Sequence, residues 1–253
     1  MEEAYRQGGC RPKGIHSLDT LKKKLTDAAA FRSAQGRPFV VLSYAQSVDG
    51  SIAGRRRERI RLSGPESMRM TYFIRTLCDT ILVGIGTILA DDPRLQVKEV
   101  TGPAPRPIVL DTRLRTPEEA RLLQRPGTRP WLVHDPQASA SRAQALIAAG
   151  AEPVPCATAV DGRIDLPVLM HWLAGRSVNS VMVEGGARVI TSFIRHRLVD
   201  AIIITISPQL LGGLPVIDAE ESGGTVDLQL GETYYQALGR DLVLWALPQW
   251  AIP

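Results

Sequence analysis

The chain predicts an α/β domain with a mixed, largely parallel central sheet, helices flanking it, and an antiparallel hairpin at the C-terminal end. Three observations predict it. From Pro38 onward, short apolar runs rich in Val, Ile and Leu alternate with helix-length segments, the pattern of strand-helix-strand units. The run Phe39-Val40-Val41-Leu42-Ser43-Tyr44 is too continuously apolar for a strand with one wet face, so it belongs at the centre. The last two strand segments, Glu232–Leu238 and Leu242–Leu247, are joined around Gly239-Arg240-Asp241, which suits a hairpin and not a crossover.

Residues 1–36 stand apart as a polar N-terminal extension with Gly8-Gly9, Pro12 and Gly14 early in it. Within it Leu18, Leu21, Leu25 and Ala28 share one helical face behind Ser17 as N-cap, which predicts one amphipathic helix. Residues 37–253 form the main domain. After the first strand, further strands are predicted at Thr80–Val83, Pro107–Leu110, Trp131–His134, Glu152–Val154, Ser180–Val183 and Ala201–Ile206. Helices at Glu66–Leu77, Ala138–Ala149, Pro167–Ala174 and Ala187–His196 fit between them. A short helix follows Gly86 and stops at Asp91-Asp92-Pro93, because a residue before proline leaves the α region and proline has no N–H. The segment Thr101-Gly102-Pro103-Ala104-Pro105-Arg106-Pro107 reads as an exposed connection inside the domain.

The 253 residues are 44% hydrophobic and 22% charged, which fits one large globular domain, or one with an appendage. Cys10, Cys78 and Cys156 are far apart, so neither a disulfide framework nor a zinc knuckle is indicated and a reducing cytoplasm fits. The N-terminus lacks a signal-peptide layout, and no apolar run approaches the ~18 residues of a membrane span. A formal net charge of +4 is mild. Its distribution says more, since Arg55-Arg56-Arg57-Glu58-Arg59-Ile60-Arg61 packs five arginines into seven residues, either a solvated face or a binding segment for an anionic small molecule.

Two glycine-bearing turns carry the ligand argument. Strand Thr80–Val83 runs into Gly84-Ile85-Gly86-Thr87, and strand Ser180–Val183 into Glu184-Gly185-Gly186-Ala187-Arg188, each followed by a helix. Either turn alone is often only a tight strand-to-helix connection. Bare backbone N–H groups at a helix start nonetheless suit a phosphate, and the carboxyl ends of parallel strands share an edge. Gln46, Gly84–Thr87, Thr112 and Glu184–Gly186 are therefore expected in one cleft. Asp49-Gly50 is a strong turn signal whatever the function. The six-residue dinucleotide fingerprint fails at Leu89, and neither a P-loop nor a Gly-x-Ser-x-Gly elbow occurs. His16, His134, His171 and His196 are scattered, and the neighbouring carboxylates of Asp91 and Asp92 point apart on a helix, so no metal site is expected.

The string Val83 to Leu95, with Arg75 before it and Ile108-Val109-Leu110-Asp111-Thr112 after it, resembles the riboflavin-biosynthesis pyrimidine reductases. Gln46-Ser47-Val48-Asp49-Gly50, Val183-Glu184-Gly185-Gly186, Leu198-Val199-Asp200 and Ser207-Pro208-Gln209-Leu210-Leu211-Gly212-Gly213 match other motifs of that family in order, over roughly Pro38 to Leu247. The resemblance implies a dihydrofolate-reductase-like fold, usually a homodimer, that uses NADPH to reduce the ribosyl group of a ribosylaminopyrimidine 5′-phosphate to a ribityl chain. By matching position it places Ala45, Gly84, Gly86, Thr87 and Asp91 on the cofactor, with Thr112 toward its adenosine. Gly185, Gly186, Ala187, Arg188, Val189, Ile190, Thr191 and Ser192 would join them, offering N–H donors to the pyrophosphate. Arg75, Leu95, Lys98 and Glu184 would hold substrate, with Arg59 or Arg61 contributing, and Asp91 and Glu184 are the implied catalytic residues.

Two departures matter. The arginine-rich stretch replaces a serine-bearing one, so the register between Gly54 and Ser63 is open, and Lys98 stands where some relatives carry arginine, keeping the charge but losing the bidentate fork. His-x-Glu and Pro-Cys-x-x-Cys, the marks of a zinc deaminase, are absent, so a reductase alone is expected. Diaminopyrimidinone and aminouracil substrates both stay open, as does a pterin or folate reductase on the same fold. A non-catalytic RNA-binding role is disfavoured, since only 5% of residues are aromatic.

Overall fold

The structure is a computed structural model that describes residues 18–54, 60–219, 226 and 228–250. The single helix expected in residues 1–36 is two short ones, α1 (Leu18–Thr26) and α2 (Ala28–Gln35), separated at Asp27. The predicted apolar face survives the break: Leu21 and Ala28 are fully buried, and Leu18 and Leu25 pack beside them. Gly36 ends α2 with φ 65° and donates its N–H to Arg32 O, the left-handed cap that glycine adopts without strain. Ser17 lies outside the described residues.

The main domain runs β1 (Phe39–Ser47), β2 (Ser51–Ala53), α3 (Pro65–Leu77), β3 (Thr80–Gly84), α4 (Ile85–Asp91), β4 (Arg106–Leu110) and β5 (Trp131–His134). It continues with α5 (Ala140–Ala148), β6 (Glu152–Pro155), α6 (Leu166–Gly175), β7 (Ser180–Val183), α7 (Ala187–Arg195), β8 (Ala201–Ser207), β9 (Leu214–Pro215), β10 (Leu228–Leu238) and β11 (Asp241–Trp250). Nine strands form one sheet in the order β10-β11-β8-β1-β7-β3-β4-β5-β6. From β8 to β6 every pairing is parallel, whereas β11 runs antiparallel to β8 and to β10. The expected mixed, largely parallel sheet with a C-terminal hairpin is present.

β1 is central for the reason its sequence gives. Val41 lies opposite Met182 of β7 on one side and Ala201 of β8 on the other. Val40 and Leu42 face the apolar layer under α6 and α7, while Phe39 and Val41 face the layer under α1, α2 and α3. A second cluster on that latter side, around Val83, Ile88 and Leu146, seats α4 and α5. The Arg37 guanidinium grips Asp200 at 2.7 and 2.8 Å, and Asp200 also accepts the Val40 N–H at 2.8 Å. One carboxylate thus sets where β1 and β8 begin, and hence where their carboxyl ends emerge. No helix among the described residues is long and apolar enough to cross a membrane.

Candidate active site

Because β1, β7, β3 and β4 are adjacent and parallel, their carboxyl ends open into one cleft of about 1680 Å³. Ala45 enters it from β1, Gly84, Gly86, Thr87 and Asp91 from β3 and α4, and Thr112 from beyond β4. Gly185, Gly186, Ala187, Arg188, Val189 and Ser192 enter from β7 and α7. Arg61, Arg75, Leu95, Lys98 and Glu184 line the same cleft. The far wall is a separate ribbon of β2 and β9, from which Ile52, Ala53 and Leu214 face inward.

The four glycines differ in what they do. A Cβ on Gly84 would lie 2.9 Å from Val189 Cγ2, and one on Gly185 would lie 2.5 Å from Val189 Cβ, so these two let α7 pack against the strand ends. Gly86 and Gly186 have nothing within 4 Å of a built Cβ. Gly186 is also the N-cap of α7 without a side-chain cap, and Gly84 caps α4 in the same way. Unsatisfied first-turn N–H groups therefore face open space, a cradle that a pyrophosphate fits and a side chain would fill.

At the other end Arg75 of α3 reaches across 109 residues of sequence to Glu184. Its Nε donates to Oε1 at 2.7 Å and its Nη2 to Oε2 at 2.5 Å, while Nη1 donates to Gln96 O at 2.9 Å. Burial opposes the charge on Arg75, but the Glu184 carboxylate outweighs it and raises its pKa above the ordinary arginine value. Ser43 lies beside this pair. It follows Val41 by two residues on β1, as Glu184 follows Met182 after β7, so both turn toward α3. Ser43 is 6% exposed, lines the cleft, and has no hydrogen-bond partner for its hydroxyl among the described residues. On the opposite sheet face Tyr44 reaches the cleft too, its phenol pushed up to about 12 by burial and so neutral at working pH.

The turn after β4 is built by the buried Asp111, which accepts the N–H groups of Arg115 and Thr116, each at 2.8 Å, and the Thr116 hydroxyl at 2.7 Å. It presents Thr112 and Arg115 to the cleft next to Arg94 and Arg121. Asp92 ends α4 in the left-handed region at φ 40°, and its carboxylate accepts the Arg121 N–H at 2.8 Å. Asp91 stays on the cleft. No cluster of metal-ligating side chains occurs among the described residues.

Residues 38–244 match the family described as the RibD C-terminal domain. The chain belongs to this family. The 2,5-diamino-6-ribosylamino-4(3H)-pyrimidinone 5′-phosphate reductase of Methanothermobacter thermautotrophicus is 34% identical over 217 residues, 82% of this chain and 97% of that protein. The reductase of the same name from Archaeoglobus fulgidus is 36% identical over 187 residues, 70% of this chain and 83% of that protein. A riboflavin biosynthesis reductase from Saccharomyces cerevisiae, solved as a structure, has a TM-score of 0.66 at 29% identity over 88% of this chain and all of that one. Acinetobacter baumannii RibD gives 0.75 at 24% identity; this chain spans 92% of its own length and 64% of that structure's.

Within this RibD-type cleft two expectations need correction. Ile190 and Thr191 are fully buried: on α7 they turn toward the sheet, Ile190 into the core and Thr191 to accept the Asp218 N–H through its hydroxyl at 2.9 Å. Gln46, although on β1, is not part of the cleft wall. Arg59 and most of the arginine-rich segment lie outside the described residues, while Ile60 and Arg61 reach the cleft. Sequence reasoning missed Ser43 and Arg115. A polar residue inside the otherwise apolar β1 run was the available signal for Ser43, and two arginines flanking Leu114 were the signal for Arg115.

Proposed function

We propose that this chain is the NADPH-dependent reductase that converts the ribosyl group of 2,5-diamino-6-ribosylamino-4(3H)-pyrimidinone 5′-phosphate to the ribityl form in riboflavin biosynthesis. One observation carries it: two helix starts with open glycines and the buried Arg75–Glu184 pair share a single cleft. The choice of the diaminopyrimidinone follows the two archaeal relatives, which carry that substrate in their names.

Gly86, Gly186 and the first turn of α7 hold the cofactor's pyrophosphate, and Thr112 and Arg115 meet its adenosine end. Arg115 is exposed at that end, and a guanidinium beside a ribose favours NADPH over NADH by pairing with the 2′-phosphate. When bound, NADPH supplies the hydride for the C1 carbon of the opened ribosylimine. The residues of the chain orient that carbon and exclude water: Ile52, Ala53 and Leu214 cover the cleft, Ser43 and Glu184 hold the pyrimidine, and Lys98 and Arg75 face the phosphate end. The imine nitrogen takes up a proton as the carbon is reduced. Of the carboxyl groups on the cleft, Asp91 is the one assigned to relay it from solvent.

A cytoplasmic homodimer completes the reading. β10 is an edge strand with Tyr234 and Tyr235 exposed, a surface suited to a second copy, and sedimentation at micromolar concentration tests it. The activity test is NADPH oxidation by purified protein with the diaminopyrimidinone, with the aminouracil analogue and with dihydrofolate. Turnover of the first supports the reading, and preference for either of the others overturns the substrate assignment.

A further inference from the structure

Two guanidinium groups brace consecutive carbonyls of the loop that walls the substrate end of the cleft. Arg75 Nη1 donates to Gln96 O at 2.9 Å, and Arg125 Nη1 donates to Leu95 O at 3.2 Å. Arg125 Nη2 adds a long contact to Pro105 O at 3.4 Å. The loop needs bracing, since Asp92, Leu95 and Glu99 have φ values of 40°, 48° and 62°, in the left-handed region that side chains disfavour.

The two cations differ in how their charge is met. Glu184 neutralises Arg75 with a bond to each carboxylate oxygen. Arg125 is 9% exposed, its Nε has no partner, and no carboxylate pairs with it among the described residues. Guanidinium does not shed its proton at working pH, so a buried positive charge is left without a counter-ion. Burial, and then the neighbouring Arg75, both push the Arg125 pKa down, as they must where an anion is wanting. Arg125 does not line the cleft, but Leu95, whose carbonyl it holds, does, as do the neighbouring Gln96 and Arg75.

We propose that Arg125 is a positioning residue whose unneutralised charge, lying behind Leu95 and Gln96, attracts and seats the anionic 5′-phosphate of the substrate without touching it. This rests on the function proposed above, which supplies the phosphorylated substrate. Beyond the mutually neutralised Arg75–Glu184 pair, the cations that line the cleft around this loop, Arg61, Arg94 and Lys98, are exposed and screened by salt, whereas Arg125 is buried.

Steady-state kinetics of Arg125→Gln and Arg125→Lys across a range of salt concentrations test it. Arg125→Gln is expected to raise KM for the phosphorylated pyrimidine about tenfold, keep kcat within about twofold, leave KM for NADPH unchanged, and flatten the dependence of KM on salt. Arg125→Lys restores the charge and most of the affinity and salt dependence. Should Arg125→Gln fail to fold, Arg125→Lys decides alone, because loss of substrate affinity with the charge kept means that Arg125 acts only by shape. Wild-type KM and salt dependence in Arg125→Gln would also overturn the inference. A wild-type protein that does not turn over the pyrimidine removes the functional reading and this inference together, whereas an active wild type with an unchanged Arg125→Gln removes the inference alone.

Discussion

Gly86→Val and Gly186→Val separate a ligand cradle from a chain turn. Nothing lies within 4 Å of a Cβ built at either position, and neither glycine has the positive φ that would strain a side chain. Folding should therefore change by under ~1 kcal/mol. A valine there occupies the space in front of the first-turn N–H groups and holds a pyrophosphate away from them. Hydrogen bonds to a charged acceptor contribute about 1.5–3 kcal/mol each, so losing one of them weakens NADPH binding by roughly 10- to 150-fold. Gly185→Ala is the contrasting variant. Its Cβ would sit 2.5 Å from Val189 Cβ, so it should destabilise the fold by about 1–3 kcal/mol through overpacking. NADPH fluorescence titration paired with thermal unfolding reads both effects. If both valine variants bind NADPH with wild-type affinity, the glycines serve only the chain turn and the reasoning fails.

Asp91→Asn should lower kcat by about tenfold or more with the melting temperature nearly unchanged, as stopped-flow turnover and calorimetry would show. Ser43→Ala should cost about 1 kcal/mol in kcat/KM for the pyrimidine while leaving KM for NADPH alone, since the hydroxyl faces the substrate end. Arg115→Ala should narrow the preference for NADPH over NADH by about tenfold, read from the ratio of the two kcat/KM values. Asp49 accepts from the Ser47 hydroxyl and from the N–H groups of Leu211 and Gly212, which hold its pKa well below the usual carboxylate range. Its contribution to stability is therefore complete above the ordinary carboxylate pKa and is lost as pH falls through the depressed one. Hydrogen exchange at Leu211 and Gly212 should accelerate only in strong acid, and Asp49→Asn should abolish that pH dependence.

Much of the fold was legible because local pattern and tertiary demand agree. The unbroken apolar run at Phe39 is buried on both faces of a central strand, and the chain reversal at Gly239-Arg240-Asp241 is the hairpin between β10 and β11. The cleft followed from parallel strands sharing one edge, which needs no side-chain detail. Long-range pairings were not legible. Nothing local announces that Arg75 meets Glu184, that β2 pairs with β9, or that Val189 fills the space in front of Gly84 and Gly185. Ile190 and Thr191 were misplaced because a motif carried over as a block ignores the helical turn that sends those two side chains into the protein. The break at Asp27 was hidden because the apolar face continues across it from Leu25 to Ala28. Arg125 gave no signal at all, since the absence of a counter-ion is a property of its surroundings.

NADPH oxidation with the 2,5-diaminopyrimidinone ribosyl phosphate, followed with product identified by mass, tests the central claim most directly. Stoichiometric NADPH consumption should yield a product two mass units heavier, with dihydrofolate inert and the aminouracil analogue slower. Absence of NADPH binding, or NADPH binding with no reduction of any ribosylaminopyrimidine phosphate, would contradict it.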